Sequence, residues 1–211
     1  MSDLLHIEAS PRKTRSASLD AARAFIDAYR LAHPQASIET LDVWRMPLPE
    51  FDNDALDAKY AGLSGTPLTP SQQTAWDHIH ALAKPLHEAK TLLFSVPLWN
   101  FSIPYKLKHF IDVVSQKDVL FSFDPHVGFG GLLAGKRAVV VYARGLDYGK
   151  HSNTPAHAFD FQKSFFDAWL RFVGIEQVDS IVVEKTLFGP QVDAAAREEA
   201  RGAAAALART I

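Results

Sequence analysis

A doubly wound α/β sheet is the fold this chain predicts, and three observations predict it. Strand-like and helix-like runs alternate from end to end. Two of the strand-like runs are apolar almost throughout, as parallel strands covered on both faces must be. Three of the segments that follow strands carry unusual turn chemistry, and in an open parallel sheet such segments gather at one edge.

The predicted strands are residues 4–8, 37–42, 91–96, 137–142 and 178–184. The helices between them show a period of 3.6. Leu19, Ala22, Ile26 and Tyr29 fall on one face, and so do Trp76, Ile79, Ala83 and Leu86. Leu107, Phe110, Ile111 and Val114 form a third stripe, and Phe161, Phe165, Trp169 and Phe172 a fourth. An alanine-rich helix after Gly189-Pro190 is expected to turn Val192, Ala196, Ala203 and Leu207 inward. Thr69-Pro70 and Ile103-Pro104 place proline at helix starts, where its missing N–H costs nothing, and Gly174 is a helix stop. Five β-α units with right-handed crossovers give a five-stranded parallel sheet of order 2-1-3-4-5, helices on both faces. Residues 43–67 and 116–135 read as long connections, the kind that carry function. Residues 119–123 alternate like one arm of a short hairpin.

At 211 residues the chain supports one core, so residues 1–211 are expected to be a single domain. Its 22 basic and 24 acidic residues give a net charge of −2, which offers no purchase for nucleic acid or an anionic membrane. The absence of cysteine excludes disulfides, thiolate nucleophiles and iron–sulfur clusters. No basic leader or long apolar run opens the chain, so a cytoplasmic location is the default expectation.

The ligand of such a sheet sits beyond the carboxyl ends of strands 1 and 3, where the strand order reverses. The first loop there, Ser10 to Ser18, brings three hydroxyls, Ser10, Ser16 and Ser18, to a helix start, with Arg12, Lys13 and Arg15 nearby. Free N–H groups at a helix N-terminus attract an anion, and hydroxyls add neutral donors. Neither a Walker loop nor GxGxxG is present, so a nucleoside triphosphate or an ordinary dinucleotide site is not expected. Capping of the helix by Ser16 or Ser18, with the bases solvated, is the alternative. The second loop, Leu98-Trp99-Asn100-Phe101, offers apolar walls, an amide and backbone donors to a planar ring. The third, Ala143-Arg144-Gly145-Leu146, uses glycine where other residues resist the backbone shape. A phosphorylated planar cofactor fits all three, with flavin mononucleotide (FMN) foremost.

The run Pro97-Leu98-Trp99-Asn100-Phe101, with the helix that follows it to Asp112, resembles the P-M-Y-N-F segment of the FMN-dependent NAD(P)H:quinone oxidoreductases, a family also called azoreductases. The spacing of Ser10 and Ser16-Ala17-Ser18 is similar to that family's phosphate loop, and Gly131 to Lys136 and Phe172 to Ile175 are similar to further landmarks. The resemblance covers nearly the whole chain. It implies a flavodoxin-like fold, non-covalent FMN, NADH or NADPH as co-substrate, and a homodimer. It further implies ping-pong reduction of a quinone or azo compound. By motif, Ser10, Ser16, Ala17 and Ser18 hold the phosphate, while Leu98, Trp99, Asn100, Phe101, Ala143, Arg144, Gly145 and Leu146 contact the ring. The family's third loop is commonly S-R-G-G and its second carries tyrosine where Trp99 stands. These departures bear on acceptor preference. A flavodoxin-type electron carrier is the alternative, against which the near-neutral charge and the added length count.

No protein nucleophile is required when a flavin carries the hydride, so no catalytic side chain is assigned. His151 and Tyr148 stand as candidate donors to a reduced acceptor. The nine histidines show no metal-ligand spacing, and His78 and His80 diverge on a helix, so no metal is expected. Trp44, Phe51, Tyr60, Phe121 and Phe123 are candidates either to wall an acceptor pocket across a dimer interface or to pack their loops onto the sheet.

Overall fold

The computed structural model describes residues 2–211. Its parallel sheet joins β1 (Leu4–Glu8), β2 (Ile38–Asp42), β3 (Thr91–Pro97), β6 (Arg137–Ala143) and β7 (Gln177–Val183) in the order β2-β1-β3-β6-β7. This is the expected 2-1-3-4-5 order once β4 (Phe121–Asp124) and β5 (Gly128–Gly131) are set apart as a separate antiparallel hairpin. β3 and β6 lie at the centre and are buried almost along their length, which their Leu, Val and Phe content allows. The register runs Leu4↔Thr91↔Arg137↔Gln177, so β3 and β6 finish together at Pro97 and Ala143, with β1 ending at the same edge opposite Ser95.

Alternation along the strands feeds two cores. Leu4, Leu93, Val139 and Val141 face α1 (Ala17–Ala32) and α7 (Pro190–Ala208). Leu5, Phe94, Val140 and Tyr142 face α3 (Pro70–Glu88), α4 (Tyr105–Val114) and α6 (Phe161–Phe172). Phe94, Phe110 and Phe166 are fully buried, each contributing about 1.5–3 kcal/mol by transfer from water. Helix starts follow their sequence signals. Thr69 and Gln72 close a reciprocal capping box with Pro70 at the first turn, and α6 stops at Gly174, whose φ of +97° suits glycine.

Three helical expectations need correction. Residues 53–64 of the supposed long loop form α2 (Asn53–Ser64), capped by Asp52 and closed by left-handed Gly65. The segment is weakly amphipathic, so its period is hard to see. In α6 the inward residues are Gln162, Phe166, Trp169 and Leu170, while Phe161 is 54% exposed. In α7 the buried residues are Ala200, Ala204 and Ala208; of the expected face Ala196 and Leu207 pack partly buried against the same core, while Val192 and Ala203 point outward. Alanines there let α7 lie close against α1, so the apolar stripe is a row of small side chains. A short α5 (Ala156–Phe159) precedes α6.

Two of the family-like landmarks meet each other. The backbone of Gly131, at the end of β5, lies directly on that of Val173 and Gly174, and Leu133 N–H donates to Val173 O at 2.8 Å. Phe121, Phe129 and Phe172 cluster over the junction. The 119–123 arm is therefore part of a true hairpin, held onto the end of α6.

Candidate FMN site

The first loop leaves β1 at Glu8 and passes through a 3₁₀ turn, Lys13–Arg15, into α1. Ser10, Ser16 and Ser18 are all buried. Ser16 caps α1, its Oγ accepting from Leu19 N–H at 3.4 Å and lying 3.1 Å from Ser18 Oγ. Capping and ligand reach are thus compatible in Ser16, which also lines the pocket described below. The N–H groups of Ala17 and Ser18 meet no acceptor among the described residues, which is the arrangement that receives an anion.

Of the three bases near this loop, Lys13 is already neutralised. Its Nζ contacts Glu8 at 2.9 Å and Asp42 at 2.5 Å, and its φ of +48° turns it back onto the strand ends. Arg12 is exposed, makes no ion pair among the described residues and lines the pocket. Arg197, from α7, reaches the same wall. It donates to Arg15 O at 3.3 Å and to Asp193 at 2.8 Å, and lies 3.7 Å from Asp20.

In the second loop, Trp99 and Ser102 exchange backbone hydrogen bonds of 2.8 and 2.9 Å around Asn100 and Phe101. Both central residues have positive φ, 44° and 73°, as a type I′ turn demands. Asparagine accepts this readily, but phenylalanine does so at a cost of about 1–2 kcal/mol. The turn leaves the N–H groups of Asn100 and Phe101 without acceptors among the described residues. Leu98 N–H is bound to Ala143 O at 2.8 Å, which locks the second loop to the third. Trp99 packs against Trp44 and Tyr105 at ring-centroid distances of 5.6 and 6.4 Å, and Trp44 Nε1 donates to Ala9 O.

The third loop keeps the N–H groups of Gly145 and Leu146 free of acceptors among the described residues, while the Arg144 side chain is turned inward. Its guanidinium is 5% exposed and bound to Asp160, Glu184 and Gln162. Arg144 therefore offers the pocket its backbone rather than its charge. Tyr148 is buried with its ring 5.3 Å from that guanidinium carbon, and burial raises its hydroxyl pKa. His151 lies exposed in a turn.

A fourth segment, Lys185 to Gly189, was not foreseen. It is zipped to the third loop by Lys185 N–H to Leu146 O, Thr186 N–H to Arg144 O and Leu187 N–H to Gly145 O. An ion pair from Lys185 to Asp147 at 2.9 Å reinforces it, and the Gly149 N–H, with that lysine, holds the carboxyl below its usual range. Any side chain at Gly145 would strike Leu187, whose Cδ1 is 2.6 Å from the position of an added Cβ. The signal available in sequence was the exposed pair Leu187-Phe188 before Gly189-Pro190. The segment follows the strand next to β6 at the same edge.

All four segments enclose one cavity of about 150 Å³. Ser10, Ser16, Ala17, Leu98, Trp99, Ala143, Arg144 and Gly145 line it, joined by Pro97, Thr186, Leu187 and Arg197. Ser18 stands behind Ser16, and Leu146 is at the rim, 40% exposed. Trp99 also borders a wider groove of about 670 Å³ lined by Phe51, Asn100, Ser102 and Tyr105. The residues fit a phosphorylated flavin: uncompensated amides and hydroxyls at a helix start for the phosphate, apolar walls and free N–H groups for the ring. An apolar hollow of about 310 Å³ between α2, α3 and the hairpin is touched by none of these segments. Among the described residues, no three His, Asp or Glu side chains gather as a metal-ligand set.

Comparison with known proteins agrees with the geometry. The model of a flavodoxin-like fold family matches residues 2–208. The chain is 55% identical, over all of its length and 98% of the relative, to FMN-dependent NADH:quinone oxidoreductase 3 of Pseudomonas fluorescens. It is 60% identical over 90% of both chains to FMN-dependent NADH:quinone oxidoreductase 9 of Burkholderia lata. Among solved structures, an FMN-dependent NADH-azoreductase of Bacillus anthracis in complex with FMN superposes with a TM-score of 0.83 at 26% identity, covering 99% of this chain and 100% of that one. By fold and by descent, the chain belongs to the family of the FMN-dependent NADH:quinone oxidoreductases.

Proposed function

We propose that this chain is an FMN-dependent NADH:quinone oxidoreductase that also reduces azo compounds. The observation that carries the reading is the meeting of the three loops at one cavity, to which Ala17 and Gly145 bring unpaired backbone N–H groups, in a chain 55–60% identical to relatives bearing that name. When bound, FMN would supply the redox chemistry, a two-electron transfer from NADH to the acceptor in a ping-pong sequence. The chain's own work is to bind and orient. Ser10 and Ser16 offer hydroxyls to the phosphate, Ala17 and Ser18 offer N–H groups at the positive end of α1, and Arg12 adds charge. Asn100, Phe101, Gly145 and Leu146 present N–H groups toward the ring. Trp99, braced by Trp44 and Tyr105, keeps water from one side.

The reading treats residues 1–211 as one FMN-binding domain acting as a homodimer on a small-molecule acceptor. Phe123 and Phe129 pack on each other and are exposed on the hairpin, with Val127 exposed at its turn, and apolar surface of this kind suits a second copy of the chain. No helix among the described residues is long and apolar enough to cross a membrane, which accords with a cytoplasmic enzyme.

The test is an absorbance spectrum of FMN-reconstituted, desalted protein, followed by anaerobic NADH. Near-stoichiometric flavin bands that bleach on NADH addition and recover with a quinone are expected. Flavin that is retained but not reduced by NADH or NADPH would mark a carrier instead, and a colourless protein would remove the assignment altogether.

A further inference from the structure

Arg144 lies under the proposed FMN site without offering its charge to it, and what it binds instead ties the site together. The guanidinium uses three nitrogens on three partners. Nη1 donates to Glu184 at 2.8 Å, Nη2 to Asp160, and Nε to Gln162 Oε1 at 3.3 Å. Each partner is itself fastened to a different wall. Asp160 caps α6 by accepting from Lys163 N–H at 2.9 Å, and the next residue, Phe161, donates its N–H to Phe101 O at 2.8 Å. Gln162, completely buried, donates to Val96 O at 2.8 Å, just before the second loop. Glu184 follows directly on β7 and opens the fourth segment. The backbone of Arg144 completes the set, donating to Val183 O at 2.8 Å and accepting from Thr186 Oγ1 at 3.1 Å.

We propose that Arg144 is a positioning residue: a buried latch that holds the second, third and fourth segments in register so that the N–H groups of Asn100, Phe101, Gly145 and Leu146 are aimed together. This rests on the FMN reading of the site. Only a planar fork with several donors reaches three partners at once, and lysine at this position satisfies one of them. Reduced flavin carries a negative charge where oxidised flavin is neutral, so misaimed donors weaken the reduced cofactor more.

The experiment compares wild type with Arg144→Lys and Glu184→Gln. It reads melting temperature without cofactor, FMN dissociation constant by fluorescence quenching, and the two-electron midpoint potential of bound FMN. Arg144→Lys is expected to weaken FMN about tenfold when oxidised and a further tenfold when reduced, which lowers the potential by about 30 mV for a two-electron couple. Glu184→Gln, on the more open arm of the latch, is expected to move both in the same direction by roughly threefold. It carries the test should the lysine variant fail to fold. Unchanged affinity and potential in the variants would overturn the proposal. So would a loss of affinity that follows the fall in melting temperature at constant potential, since that is a merely structural role. Wild-type protein that retains no flavin would instead strike down the FMN reading, and this inference with it.

Discussion

Replacing Gly131 by alanine should damage the fold through a single methyl group. The φ of Gly131 is not positive, so its backbone tolerates alanine, and the whole effect is collision. An added Cβ would stand 2.1 Å from Gly174 N, 2.2 Å from the carbonyl carbon of Val173 and 2.4 Å from Gly174 Cα. All three are main-chain atoms, so no rotamer relieves the clash, and the hairpin must part from α6 by more than about 1 Å to reach ordinary contact. Leu133 N–H to Val173 O, 2.8 Å, and Leu132 N–H to Leu120 O, 3.0 Å, are the bonds that movement stretches. Overpacking costs about 1–3 kcal/mol and a weakened backbone bond about 0.5–1.5 kcal/mol. A total near 3 kcal/mol lowers the melting temperature of a chain this size by roughly 6–12 °C. Gly130→Ala is the control, because its Cβ meets only Ser122 Oγ, the end of a rotatable side chain, at 2.8 Å. It should melt within about 3 °C of wild type. Thermal melts by circular dichroism decide the matter: if Gly131→Ala melts with the control, the backbone-on-backbone contact is not what holds the hairpin.

Three further outcomes are expected. Ser16→Ala with Ser18→Ala should raise the FMN dissociation constant about tenfold by fluorescence titration, and an unchanged constant would show that the hydroxyls only cap α1. Phe101→Gly should leave stability within about 1 kcal/mol, since relief of the left-handed conformation offsets lost packing on Phe159, while quinone KM rises; denaturation showing a loss beyond about 2 kcal/mol would contradict the strained-turn reading. Burial, with the nearby charges of Arg23 and Lys13, lowers the pKa of His6 to about 4. The unfolded chain takes up this proton near pH 6.5, so stability is complete above 6.5, falls by about 3 kcal/mol as pH drops to 4, and levels off below. Urea denaturation of wild type against His6→Gln from pH 7.5 to 4 should show that slope in the wild type alone, and parallel curves would refute it.

What was legible in sequence was whatever repeats or is concentrated locally. The apolar runs of β3 and β6 and the 3.6-residue stripes of α1, α3 and α4 announce themselves. So do the three loops at the sheet's carboxyl edge, because each strand–loop–helix passage carries its chemistry within about ten residues. The helix at 53–64 escaped because Asp52, Asn53 and Gly65 read as turn residues when the apolar face between them is thin. The inner face of α7 is only half legible, with Ala196 and Leu207 placed and Ala200, Ala204 and Ala208 missed, because alanine marks both a surface helix and a close-packed one. Lys13 reads as a charge near the phosphate and Arg144 as a contact of the ring. Their partners Glu8, Asp42, Asp160 and Glu184 lie on other elements, and only the fold shows that these charges are spent. The segment around Thr186 and Leu187 joins the site through backbone bonds, which leave almost no trace in composition.

The placement of α7 has a consequence for the order in which the protein assembles on the ribosome. Helix α1 is synthesised well before α7, yet the face it buries is shared with Ala200, Ala204 and Ala208 of that helix. Arg197, which grips Arg15 O and approaches Asp20 at the mouth of the phosphate loop, emerges equally late. The nascent chain must therefore carry Leu4, Phe25 and Val139 with one flank uncovered until α7 has been made. The phosphate loop is finished only when α7 is in place, and truncation within α7 would leave a chain with all of its described strands and no completed cradle.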